Sequence, residues 1–197
     1  MVAVMDGDSL RGLSHKHLWM HNRGWEQLAE GDGPRVISEG QGIRVTDSDG
    51  NTWIDVNGGY ASVHVGYGRE EIADAAYQQM RQIHYFPART TTPPTVRLAA
   101  KLAEIAPGSL SRAFLVSGGS EANETALKIA RAYHRRRGEP GRYRIISRQG
   151  SYHGGTGGVV WLGALPNSTR ADLEPEPPGM VYAPQPNSYR CPFGTDN

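Results

Sequence analysis

An α/β fold with a mainly parallel sheet is the class this sequence predicts, and three observations predict it. A short apolar run at residues 113–117 is followed by a tight Gly-Gly turn, a long amphipathic segment and a second β-rich run at 143–147, the strand–helix–strand order of parallel pairing. Two further segments with helical spacing precede that unit. The chain also carries 25 glycines and 13 prolines among 197 residues, more than a helical bundle uses and usual for a protein with many turns and backbone-lined sites.

Taken in order, residues 1–30 are polar, contain several His and Trp, and are weakly periodic, as an arm or surface helix would be. Three short alternating runs follow at 35–38, 43–46 and 52–56. They are separated by Glu39-Gly40-Gln41-Gly42 and by Asp47-Ser48-Asp49-Gly50-Asn51, the pattern of an antiparallel meander. Beyond the glycine-rich stretch ending at Gly68, residues 69–83 set Ile72, Ala75, Ala76, Met80 and Ile83 at helical spacing. Residues 93–106 do the same with Val96, Ala99, Leu102, Ala103 and Ala106, and Pro107-Gly108 stops that helix. After the 113–117 strand comes a helix at 121–137, with Ala122, Ala126, Ile129, Ala130 and Tyr133 on its inner face. The strand at 143–147 leads into a loop with five glycines between Gly150 and Gly158, and one further strand is expected at 180–182. Domain boundaries are read as 1–60, arm and meander, and 61–197, the first part of a larger ligand-binding domain.

With 21 basic and 20 acidic residues the formal charge is +1, so the chain lacks the field of a nucleic-acid-binding or membrane-surface protein. Eight basic residues between Lys128 and Arg148 face only Glu139, and a solvated helix face accounts for them. Cys191 is the sole cysteine and cannot form an internal disulfide. The start lacks the basic end and apolar run of a secretory signal, and no stretch reaches the roughly 18 apolar residues of a membrane span, so a cytoplasmic location is expected. His15, His17 and His21 have a spacing that could ligate zinc, yet no cysteine or acidic cluster lies nearby, and no metal is expected.

Two segments carry the chemistry. In Ser117-Gly118-Gly119-Ser120-Glu121-Ala122-Asn123-Glu124, glycines open a helix whose first N–H groups lack partners and whose dipole is positive there; a serine hydroxyl adds a donor, and the set suits a phosphate. The alternative is that Ser120 simply caps the helix. Neither G-x-G-x-x-G nor a Gly-Lys pair is present, so a nucleotide is not favoured. The second segment, Gly150-Ser151-Tyr152-His153-Gly154-Gly155-Thr156-Gly157-Gly158, emerges from the carboxyl end of the next strand, where open α/β sheets bind ligands. Its tyrosine offers a flat face for an aromatic ligand and its histidine a hydrogen bond or proton, against the alternative of a flexible glycine loop.

Together the segments 117–131, Ile145-Ile146-Ser147-Arg148 and Ser151-Tyr152-His153-Gly154 resemble the class III aminotransferases, pyridoxal-phosphate enzymes of fold type I. The likeness extends upstream through residues 42–56, Val65-Gly66-Tyr67-Gly68 and the 71–80 helix, and even His17-Leu18-Trp19 is similar to the family's opening. The resemblance implies a truncated fold-type-I architecture, the meander of the small domain followed by the first part of the large domain's sheet. It implies that Gly119 and Ser120 hold the phosphate of pyridoxal 5′-phosphate, that Tyr152 stacks on its ring and that His153 supports it. It implies that Tyr60, Tyr85 and Phe86 lie at the substrate entrance. Ala61 falls about where many relatives carry a bulky aromatic, which leaves the pocket's size open.

The activity implied is transfer of an amino group from an amine or ω-amino acid to a 2-oxo acid such as pyruvate or 2-oxoglutarate, in a homodimer. An aminomutase or decarboxylating relative shares these loops, and a non-catalytic phosphate-binding subunit is the reading outside enzymes. None of the three lysines, Lys16, Lys101 and Lys128, matches the family's Schiff-base lysine, which lies downstream of the tyrosine loop. No catalytic residue is therefore assigned. The chain is expected to be an N-terminal fragment with an uncovered sheet edge, and to lack ordinary turnover by itself.

Overall fold

The computed structural model describes residues 7–20, 33–87, 89–163 and 173–194. The chain divides into two units, Met1–Thr90 and Thr91–Asn197. In the first lie helix α1 (Gly7–His17), strands β1 (Ile37–Gln41), β2 (Arg44–Asp47) and β3 (Thr52–Ile54), and helix α2 (Glu70–Gln82). In the second lie helices α3 (Pro93–Ile105) and α4 (Gly119–Arg136), strand β4 (Ile145–Arg148), a 3₁₀ turn (Val159–Leu162) and strand β5 (Met180–Ala183).

The meander forms as an antiparallel sheet in the order β1-β2-β3. Its first strand runs through Glu39 and Gly40, which the sequence pattern assigns to a turn. The reversal is instead a two-residue loop between paired Gln41 and Arg44, opened by Gly42 at φ +57°. The β2–β3 turn is built on buried Asp47, whose carboxylate accepts the Trp53 indole N–H at 2.9 Å and the Asn51 and Asp49 backbone N–H groups at 2.8 and 3.1 Å. These bonds, the indole first, hold the Asp47 carboxyl below its ordinary range.

Helix α2 belongs with the meander in the first unit, whereas the sequence grouping puts it with the later residues. The tie is Tyr67, which pairs with Gly42 through both backbone groups at 2.8 and 3.0 Å and donates its hydroxyl to Asp55 at 2.7 Å. Asp55 also accepts the Gly59 and Asn57 N–H groups at 2.7 and 3.0 Å, and so pins a turn, Gly58–Ala61, whose four residues all take positive φ between 55° and 58°. L-residues resist that conformation, so Tyr60 and Ala61 are held there by their surroundings.

In the second unit β4 and β5 pair in parallel, Ile145 opposite Met180 and Arg148 opposite Ala183. The parallel pairing expected between 113–117 and the following strand is corrected: among the described residues 113–117 joins no ladder, and β4 takes β5 as its neighbour. Phe114 is accordingly 71% exposed, and the Ser117 N–H is taken by the Glu121 carboxylate at 2.8 Å. The buried apolar residues of the described chain are Val159, Trp161 and Leu162, on a 3₁₀ turn that sequence periodicity does not announce. Hydroxyls hold this turn, Tyr182 donating to the Trp161 carbonyl at 2.6 Å and Ser147 and Ser151 to that of Leu162. Among the described residues no helix is long and apolar enough to cross a membrane, and no group of three or more His, Cys, Asp or Glu side chains could hold a metal ion; His21 lies outside them.

Candidate functional site

Helix α4 begins two residues before its apolar periodicity, and this sets the chemistry of its end. Gly118, extended at φ −172° and ψ 172°, is the N-cap and has no side chain to cap with. Ser120 is therefore not the cap but part of the first turn. The first bond along the helix runs from the Ala122 N–H to the Gly118 carbonyl at 3.0 Å, so the N–H groups of Gly119 and Ser120 precede it and have no acceptor within the helix. Glu121 does not fill this end, because its carboxylate turns back to Ser117 and is held below its ordinary pKa chiefly by that backbone N–H.

The loop after β4 returns to the same helix end. The Gly155 N–H donates to Ser120 Oγ at 3.1 Å, and Asn123 Nδ2 donates to the His153 carbonyl at 2.7 Å. Glu124 Oε1 accepts the Thr156 hydroxyl at 2.8 Å and the Gly158 and Val159 N–H groups at 2.9 and 3.2 Å. The glycines make this approach possible. Gly154 takes φ +139°, and a methyl there would stand 2.7 Å from Ser120 Oγ and 2.6 Å from Val159 Cγ2; a methyl on Gly158 would overlap the Glu124 carboxylate.

A dianion suits this donor set. Ser120 Oγ has given a lone pair to Gly155, so its own hydrogen remains to be donated, beside two free backbone N–H groups and the positive end of an 18-residue helix. Tyr152, one residue from the anchored His153 carbonyl, is 70% exposed and presents a free ring. The structure thus brings Gly119, Ser120 and the Tyr152–His153 loop together. Tyr60, Tyr85 and Phe86 lie in the first unit, 88%, 72% and 53% exposed. Asn123, Glu124 and Thr156 were not singled out by the sequence reading. The available signal is that Ser120, Asn123 and Glu124 stand at i, i+3 and i+4, on one face at the start of a helix.

The sequence pattern of the class III aminotransferases matches residues 28–196, which include both loops. The chain belongs to that family. A probable aminotransferase of Mycobacterium tuberculosis is 40% identical over 189 residues, covering 95% of this chain and 40% of its own length. A putrescine–pyruvate aminotransferase of Pseudomonas aeruginosa is 36% identical over 181 residues, covering 91% and 39%. Among solved structures, an (S)-enantioselective ω-transaminase from Thermomicrobium roseum superposes with a TM-score of 0.91 at 36% identity, over 96% of this chain and 42% of the other. The chain therefore spans about two fifths of the length of the relatives it matches. Class III aminotransferases are pyridoxal-phosphate enzymes of fold type I, and the described elements are a partial α/β domain of that fold. The free donors at Gly119 and Ser120 fit that cofactor's phosphate.

Proposed function

We propose that this chain supplies the phosphate-binding and ring-binding part of a transaminase that moves an amino group from an amine or ω-amino acid to a 2-oxo acid such as pyruvate or 2-oxoglutarate. The observation that carries the reading is the joining of two loops at one helix end, Gly155 N–H to Ser120 Oγ at 3.1 Å and Asn123 to the His153 carbonyl at 2.7 Å. Gly119 and Ser120 bind the phosphate through two N–H groups and a hydroxyl. Tyr152 holds the ring by stacking, and His153 supports it. Pyridoxal phosphate, when bound, supplies the electron sink for the substrate carbon that gives up its proton.

The proton itself is moved by a lysine, and none of Lys16, Lys101 and Lys128 takes that part. Lys101 is paired with Glu104 at 2.9 Å on the exposed face of α3, and Lys128 is well inside α4, away from its N-terminal end. The reading therefore assigns the lysine to sequence outside these 197 residues, in a cytoplasmic homodimer whose substrate entrance is lined by Tyr60, Tyr85 and Phe86.

Titration with pyridoxal phosphate tests the reading. The protein binds it more tightly than inorganic phosphate, with quenching of intrinsic fluorescence, and Ser120→Ala and Tyr152→Ala each weaken it about tenfold, the loss of one good contact. Equal affinity for the two ligands, or indifference to both substitutions, would overturn it. Borohydride reduction that fixes the cofactor to one of the three lysines would contradict the assignment of the proton carrier elsewhere.

A further inference from the structure

We infer that Glu124 is a positioning residue for the cofactor's ring: it fixes the loop carrying Tyr152 and His153 against the phosphate-binding turn, with Asn123 as the second point of attachment. The inference rests on the pyridoxal-phosphate reading. Four of the five residues from Gly154 to Gly158 are glycines, a segment that by itself samples many conformations and cannot hold an aromatic ring in one plane. Three donors of that segment and the residue after it nevertheless converge on one carboxylate oxygen: the Thr156 hydroxyl, the Gly158 N–H and the Val159 N–H, at 2.8, 2.9 and 3.2 Å. Bonds to an ionised acceptor are shorter and stronger than neutral ones, and three on one oxygen fix position and direction together.

The carboxylate is kept ionised by its surroundings. The Thr156 hydroxyl first, then the two backbone N–H groups, and Lys128 one turn further along α4, hold its pKa below the ordinary value of 4.5. At the far end of the loop Val159 is fully buried, so the segment clamped by Glu124 is anchored to the apolar core. At the near end Asn123 holds the carbonyl of His153, directly after Tyr152. Two of the phosphate donors, the N–H groups of Gly119 and Ser120, belong to the helix itself and are independent of this clamp; the Ser120 hydroxyl alone meets the loop, accepting the Gly155 N–H, and its own hydrogen stays available without that bond. Loss of Glu124 should therefore cost the grip on the ring and spare the grip on the phosphate.

The test compares the intact wild-type protein with Glu124→Ala and Glu124→Gln, using pyridoxal phosphate and inorganic phosphate as probes. Amide exchange is followed at Gly158 and Val159, with amides in the middle of α4 as internal reference. Glu124→Ala should speed exchange at Gly158 and Val159 about tenfold or more, weaken pyridoxal phosphate by about tenfold, abolish the visible circular dichroism of the bound ring, and change inorganic phosphate affinity less than about twofold. Glu124→Gln keeps an acceptor oxygen at the same place and should recover to within roughly threefold of wild type.

An alanine variant with wild-type pyridoxal-phosphate affinity and dichroism overturns the inference. A parallel loss of both ligands with faster exchange throughout α4 marks general damage to the alanine variant, and the glutamine variant then decides: dichroism held near wild type upholds the inference, and dichroism lost overturns it. If the wild-type protein shows no preference for pyridoxal phosphate over inorganic phosphate, the cofactor reading falls, and unchanged or accelerated exchange at Gly158 and Val159 still overturns or upholds the clamp.

Discussion

Replacing Gly154 by alanine probes the junction of the two loops most sharply. At φ +139° an L-residue is strained by about 1–2 kcal/mol. The new methyl would also stand 2.7 Å from Ser120 Oγ, 3.1 Å from Ser120 Cα and 2.6 Å from Val159 Cγ2. The serine hydroxyl can rotate away, but the α4 backbone and the fully buried Val159 cannot, and overpacking at such a place costs roughly 1–3 kcal/mol. The sum, on the order of 2–5 kcal/mol, falls on a local contact, so the economical response is release of the loop from α4 rather than loss of the whole unit. Each 1.4 kcal/mol is tenfold in an equilibrium, so amide exchange at Gly155, Gly158 and Val159 should accelerate by roughly 30- to 4,000-fold. Gly155 and Gly157, where a methyl meets nothing within 4 Å, supply controls whose alanine variants stay within about 0.5 kcal/mol of wild type. Unchanged protection of those amides in Gly154→Ala would refute the packing described.

Three further outcomes follow from the same geometry. Glu124 has a folded-state pKa below its unfolded value, so the charge-assisted part of its contribution is fully present above about pH 4.5 and lost as pH falls through the depressed value; Gly158 and Val159 protection measured against pH should hold at neutral pH and weaken only on the acid side, to the extent seen in Glu124→Gln. In Asp55→Asn, Tyr67 loses the carboxylate that raises its phenol pKa, first by hydrogen bonding, and ultraviolet titration should show one tyrosine moving down toward the ordinary value of 10.0. Ala61→Gly relieves a positive φ of 58° and should raise the urea midpoint of the first unit by an amount equivalent to about 1 kcal/mol, whereas a lower midpoint would mean that the turn is not left-handed.

Much of the fold is legible in the sequence, for identifiable reasons. The α2 and α3 helices fall within a residue of their periodic segments, because apolar spacing and the Pro107-Gly108 stop mark them without tertiary help. The start of α4 is read two residues late, since Gly119 and Ser120 are polar or bare and add nothing to an apolar pattern even though their backbone is helical. The 113–117 segment reads as a strand from its apolar run, but a strand also needs a neighbour, and β4 pairs with β5. At the site, the anion-binding end and the aromatic loop are visible in the residue types. The bonds joining them span 30 to 35 residues and depend on two glycines accepting close approach, which only coordinates reveal. The left-handed turn at Tyr60 and Ala61 is likewise set by Asp55 and its partners rather than by local preference.

The central claim is that one ligand is held at once by the first turn of α4 and by the tyrosine loop. A single NMR titration with pyridoxal phosphate reads both ends, through the amide shifts of Gly119 and Ser120 and through Overhauser contacts between the pyridine protons and the Tyr152 ring. The account predicts that both signals saturate with one dissociation constant. Shifts at Gly119 and Ser120 with no contact to Tyr152 at saturation would contradict it.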